Sequence, residues 1–148
     1  MTAKGLAALM VALTAAALLA GACSDRGFVP LEVGQCLPDG ANVEGERAQK
    51  PTIVSCADRH RYEVFAVERL DPPSDDWPGE KLITLNAENR CVGAIEAATG
   101  LEPKDTPDEV ELVHVDPTED SWRGGDRDVE CLFRWDESTT ETLVRAGD

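Results

Sequence analysis

The chain has 148 residues, with 29 acidic side chains against 14 basic ones and a formal charge of −15. That charge repels phosphate backbones and anionic lipid headgroups, which excludes nucleic-acid binding and polybasic membrane docking. The length fits one domain, and because 17 of the first 22 residues are apolar, the remainder of the chain is polar and has a modest core.

Met1 to Lys4 carries one basic side chain, and Gly5 to Leu19 is an uncharged run rich in Ala and Leu. This is the layout of an export signal, and the run is too short and too alanine-rich for a membrane span, which needs about 20 strongly apolar residues. It ends at Leu19-Ala20-Gly21-Ala22-Cys23. That sequence resembles a bacterial lipobox, with Ala20 where Leu is most common. The resemblance implies a lipoprotein signal peptide over 1–22 and a palmitate-type lipid on Cys23, the first residue of the mature protein. Residues 23–30 become a tether, and the address is the extracytoplasmic face of the cell membrane. The alternative is an ordinary secretory signal cut near Ala22, with Cys23 left as a spare thiol.

Leu31 to Leu37 reads as a brief strand holding Cys36, and Pro38 to Pro51 as a polar loop with a turn at Asp39-Gly40. Thr52 to Cys56 is β-branched and apolar. Tyr62 to Arg69 alternates as a strand, with Tyr62, Val64 and Ala66 on one face and Glu63, Phe65 and Val67 on the other. After a proline-rich loop, Leu82, Leu85, Val92, Ile95 and Thr99 fall near helical spacing with Ala87, Cys91, Ala94 and Ala98 beside them. A helix is predicted from Gly79 to Thr99, closed by Gly100. Glu109 to Val115 and Asp128 to Trp135 have strand character, the latter with Val129, Cys131, Phe133 and Trp135 on one face. The domain is expected over 31–136, with a polar tail over 137–148. The fold class is α+β: a small disulfide-braced domain with a short antiparallel sheet and one main helix.

Setting Cys23 aside leaves Cys36, Cys56, Cys91 and Cys131, an even set in an exported domain, which reads as a disulfide framework. Of three possible pairings, Cys36–Cys56 and Cys91–Cys131 are favoured. The first would join neighbouring extended segments and the second would tie the helix to a late strand. No C-x-x-C occurs, so redox-exchange and zinc-ribbon signatures are missing.

His60 with Asp58 and Glu63 most resembles a site, since an imidazole between carboxylates can act as a base or bind a metal. Three or four convergent ligands are needed for a metal, and His114 is the only other imidazole. His114 reads as a strand residue, pointing outward or hydrogen-bonded at the sheet. Asp116 to Asp120 opens like a calcium loop, but Ser121 stands where Gly is required and Arg127 where Glu is required. Trp122 beside Gly124-Gly125 and the Asp126-Arg127 pair is either an exposed binding anchor or a lid on the core, with the lid favoured. Hydrolase, zincin, dinucleotide and phosphate-loop motifs are absent.

Gly34-Gln35-Cys36, Val54-Ser55-Cys56, His60, Glu63 and Val64, then Ala87 and Cys91, then Ser121-Trp122, Gly125-Asp126-Arg127, Val129 and Cys131-Leu132, resemble in order the bacterial septum formation domain family. Arg59-His60 stands where Pro-His is common. The resemblance implies an α+β, disulfide-braced extracytoplasmic domain linked to septum formation, with the cysteines and the Trp-Gly-Asp-Arg segment as framework and no established catalytic activity. The reading is a lipid-anchored, non-catalytic binding module with an envelope protein as partner and no cofactor or metal. Its candidate binding residues are Asp58, His60, Glu63, Trp122, Asp126 and Arg127. The alternatives are an envelope hydrolase or metal-dependent enzyme, and a passive structural lipoprotein.

Overall fold

The computed structural model describes residues 30–43, 51–72 and 74–145. The signal segment, Cys23 and most of the tether lie outside the described residues. Four strands, β1 (Cys36–Leu37), β2 (His60–Arg69), β3 (Val110–Val115) and β4 (Asp128–Thr139), form one antiparallel sheet in the order β1-β2-β4-β3. Helix α1 (Glu80–Thr99) covers one face, a short helix α2 (Glu119–Arg123) precedes β4, and a 3-10 turn (Pro103–Asp105) leads into β3. This is the expected α+β domain with one main helix and a small antiparallel sheet.

The central strands β2 and β4 are buried along most of their length because both faces of the sheet are covered. On the helix side Phe65 stacks on Phe133, ring centroids 4.2 Å apart, with Val129 and Cys131 beside them. On the other side Tyr62, Val64 and Leu132 pack under Leu31, Leu37 and Val43 from the N-terminal segment. The expected alternation in β2 fails at one place. Val64 pairs with Leu132 but Ala66 pairs with Cys131, so Phe65 is an extra residue in a bulge and Ala66 joins it in the helix-side core.

The helix limits match the sequence reading, but the buried stripe does not. Ile83, Ala87, Cys91, Ile95 and Thr99, at i, i+4 spacing, face the sheet, whereas Leu82, Leu85 and Val92 lie on the opposite side and are 38–51% exposed. Gly100 closes the helix in the left-handed conformation (φ 75°) and donates its N–H to the Glu96 carbonyl, a geometry that costs glycine no Cβ clash.

The disulfides join Cys36 to Cys56 and Cys91 to Cys131, as favoured from the sequence. The first replaces much of the expected strand pairing: β1 is only two residues long, and of Thr52 to Cys56 only Val54 makes a β-bridge, to Cys36. The second ties the middle of α1 to the middle of β4, with both cysteines fully buried. The chain after Trp135 also departs from expectation. β4 continues to Thr139, and Leu143 and Val144 pack against the helix-side core. Their backbone N–H groups donate to the two carboxylate oxygens of Glu63 at 2.9 and 3.2 Å, and Arg145 donates its backbone N–H to the Ala98 carbonyl. The predicted polar tail is thus, up to Arg145, a strap across the domain.

Cys91→Ala with Cys131→Ala is expected to cost roughly 4 kcal/mol, more than the roughly 3 kcal/mol for the Cys36 and Cys56 pair, because the Cys91–Cys131 bridge closes the longer loop. Urea unfolding of the two double variants under oxidising conditions checks the order.

Candidate functional site

The three residues expected around His60 go separate ways. His60 is fully buried, and its Nδ1 lies 3.0 Å from the backbone carbonyl of Asp58, so that nitrogen carries the donated proton; Nε2 is enclosed with no hydrogen-bond partner among the described residues. The Asp58 side chain is exposed. Glu63, 1% exposed, spends its carboxylate on the C-terminal strap. Together they do not form a surface site.

The second expected constellation is internal. Trp122 is 2% exposed, donates its indole N–H to the Asp75 carbonyl at 2.9 Å and meets Trp77 edge to face at 5.5 Å. Arg127 lies over the Trp122 ring, 3.7 Å from its centre, and donates to the carbonyls of Trp122 and Asp126. Asp126 accepts the Asp128 N–H and is buried with Arg127. A desolvated guanidinium fixed by carbonyls and an aromatic face holds the α2–β4 turn against the Asp75 loop. Trp122, Asp126 and Arg127 are therefore framework and not a docking anchor.

A different place has the geometry of a site. Where β3 ends, α1 begins and α2 begins, a cleft of about 480 Å³ opens, a volume in the range of small-ligand and side-chain pockets. Val43, Trp77, Ile83 and Val115 form its apolar walls, and Glu80, Thr84, His114, Asp116 and Glu119 its polar groups. His114 lies opposite Cys131 in the ladder, so its side chain is on the face that α1 covers. Asp116, two residues on, extends that side of the chain. Its carboxylate accepts from His114 Nδ1 at 2.6 Å and from the Thr84 hydroxyl at 3.1 Å, linking β3 to the first turns of α1. At the third corner Thr118 caps α2, accepting the Ser121 N–H while the Ser121 hydroxyl accepts the Thr118 N–H.

The hydrogen bond that His114 donates to Asp116, helped by the charges of Asp116 and Glu88, holds the His114 pKa above its ordinary value of 6.5 against the opposing effect of burial. Sequence reasoning left His114 as a strand residue and Asp116 as the start of a failed calcium loop. The usable signal was their i, i+2 spacing at a strand end. Trp77 carried in sequence the same ambiguity between binding anchor and core lid as Trp122, and Glu80, Thr84 and Glu119 carried no signal of their own. Among the described residues, no group of three or more His, Cys, Asp or Glu is placed to hold a metal ion, and no helix is long and apolar enough to cross a membrane.

The sequence profile of a family described as "Septum formation" matches residues 30–148. The chain belongs to the septum formation family. No curated protein and no solved structure matches it. The family links the chain to septum formation, and its match runs through the C-terminal strap as well as the sheet. Among the residues that carried the likeness in sequence, the four cysteines and Trp122 with Asp126 and Arg127 are framework in this structure. The cleft lies next to that framework, sharing Trp77 with it.

Trp122→Ala removes a buried indole, its hydrogen bond and the seat of Arg127, and is expected to cost about 3–5 kcal/mol in chemical denaturation. His114 has a folded-state pKa above its unfolded one, so its proton stabilises the fold below the unfolded value, and that contribution is lost as pH rises through the folded value. His114→Gln should therefore lower the melting temperature more at about pH 5.5 than at about pH 8.5; an equal loss at both would show that the imidazolium contributes nothing.

Proposed function

We propose that this chain is an exported, lipid-anchored protein of the cell envelope whose domain acts in septum formation by binding another envelope protein, without catalysing a reaction. The observation that carries this reading is the cleft between β3, α1 and α2. It is concave, walled by apolar side chains and furnished with a few fixed polar groups, which is the make-up of a recognition site. The lipobox ending at Cys23 supports attachment to the outer face of the membrane, and two disulfides suit an oxidising compartment.

The order of the polar groups favours binding over hydrolysis. In a nucleophilic triad the imidazole sits between hydroxyl and carboxylate and takes the hydroxyl proton. Here the carboxylate sits between them: Asp116 accepts from both Thr84 and His114. Thr84 is therefore oriented by a carboxylate and has no imidazole base on its proton, an arrangement that braces two walls of a cleft.

Membrane attachment and cleft function are separable in the native host. Wild type should incorporate a fatty-acid label and partition with membranes, and Cys23→Ser should do neither. In a deletion strain, wild type should restore cell length and septum placement, while a folded, lipidated Trp77→Ala/Thr84→Val double variant should not. Full complementation by that double variant would overturn the cleft as the working surface, and normal division in the deletion strain would overturn the division role.

A further inference from the structure

Resting on the reading of the cleft as the docking site, we propose that it takes a basic side chain, arginine or lysine, presented by a partner protein. Val43, Ile83, Val115 and Trp77 offer an apolar wall of the kind that accepts an aliphatic stem, and the carboxylates of Glu80, Asp116 and Glu119 stand among them to meet a charged head. Among the described residues, no lysine or arginine lines the cleft.

The existing charge pairs leave a place for the newcomer. Asp116 is engaged by His114 and by Thr84. Glu119, half exposed at the rim of the cleft, is paired with Arg123 at 2.5 Å. Glu80, exposed at the first turn of α1, has no cationic partner among the described residues. A cation entering here meets one uncompensated carboxylate and two partly compensated ones, beside an indole. The protein already uses that chemistry one residue pair away, where the Arg127 guanidinium lies over Trp122 against the edge contact with Trp77. The chain's charge of −15 favours encounter with a basic surface before any contact is made.

The test is an NMR titration of the full processed chain in non-ionic detergent micelles with three probes: acetyl-Gly-Arg-Gly-amide, the same peptide with neutral citrulline for arginine, and free agmatine. The arginine peptide should shift the Trp77 indole and the amides of Thr84 and His114. Citrulline should bind at least roughly tenfold more weakly, and Glu80→Gln should reduce arginine-peptide binding while Glu96→Gln, at the far end of α1, leaves it unchanged. Equal binding of the citrulline peptide at the same residues would overturn charge recognition and leave the cleft as a docking site. Equal losses in Glu80→Gln and Glu96→Gln would overturn it in favour of diffuse attraction. Tighter binding of agmatine than of the peptide would overturn a protein partner in favour of a free amine. No shift at the cleft from any probe would overturn the basic occupant, and failure of complementation by the cleft variant, measured separately, would still support docking.

Discussion

The seat of α1 on the sheet is the constraint from which the other features derive. Cys91 in the helix and Cys131 in β4 are bridged at the centre of the helix-side core, with Ile83, Ala87 and Ile95 spaced above and below along the same stripe. In a modest apolar core the covalent tie near the midpoint of this 20-residue helix fixes its place along the sheet, and the packed stripe of Ile83, Ala87 and Ile95 sets which side faces inward. With the helix fixed, its first turns stand at the end of β3, where Thr84 reaches Asp116, and its last turn meets the chain after β4, where the Ala98 carbonyl takes the Arg145 N–H. The cleft at one end and the strap at the other are both set by where one bond holds the helix.

Much of this was legible in the residues. Helix limits and the helix-side face of β4 came from spacing and turn chemistry, because those signals are local, and the cysteine pairing followed from the elements on which the cysteines were placed. The side of α1 that faces the sheet was less legible. Leu82, Leu85 and Val92 are larger apolar residues than Ala87 and Cys91, so the hydrophobic pattern points to the wrong stripe. Burial is decided by close approach: small residues at 87 and 91 let the helix backbone come near the sheet and let the disulfide form. The bulge at Phe65 and the short β1 escaped for a related reason, since an extra residue in a strand and a covalent substitute for ladder pairing leave no mark in local periodicity.

The polar clusters show the same division. His60, Asp58 and Glu63 are neighbours in sequence, yet strand geometry sends consecutive side chains apart, and Glu63 finds its partners about 80 residues later in Leu143 and Val144. His114 and Asp116 are neighbours by their i, i+2 spacing, but Thr84 joins them only through the helix docking on β3. The residues that carried the family likeness proved to be those that hold the fold, as a buried indole, a stacked guanidinium and two disulfides must be. The cleft is built from residues whose types are individually ordinary, and it exists because three elements end at the same point.

The strap has a practical consequence for tracking this protein in cells. Glu63 and Ala98 fix Val144 and Arg145 beside the last turn of α1, while the cleft opens beside its first turns. The 18 residue steps from Glu80 to Ala98 separate the two by about 27 Å along the helix axis. A fluorescent reporter joined to the chain beyond Arg145 would therefore be anchored from the end of the domain remote from the cleft. A reporter that replaced the last eight residues would instead leave the Glu63 carboxylate enclosed without the amides that satisfy it.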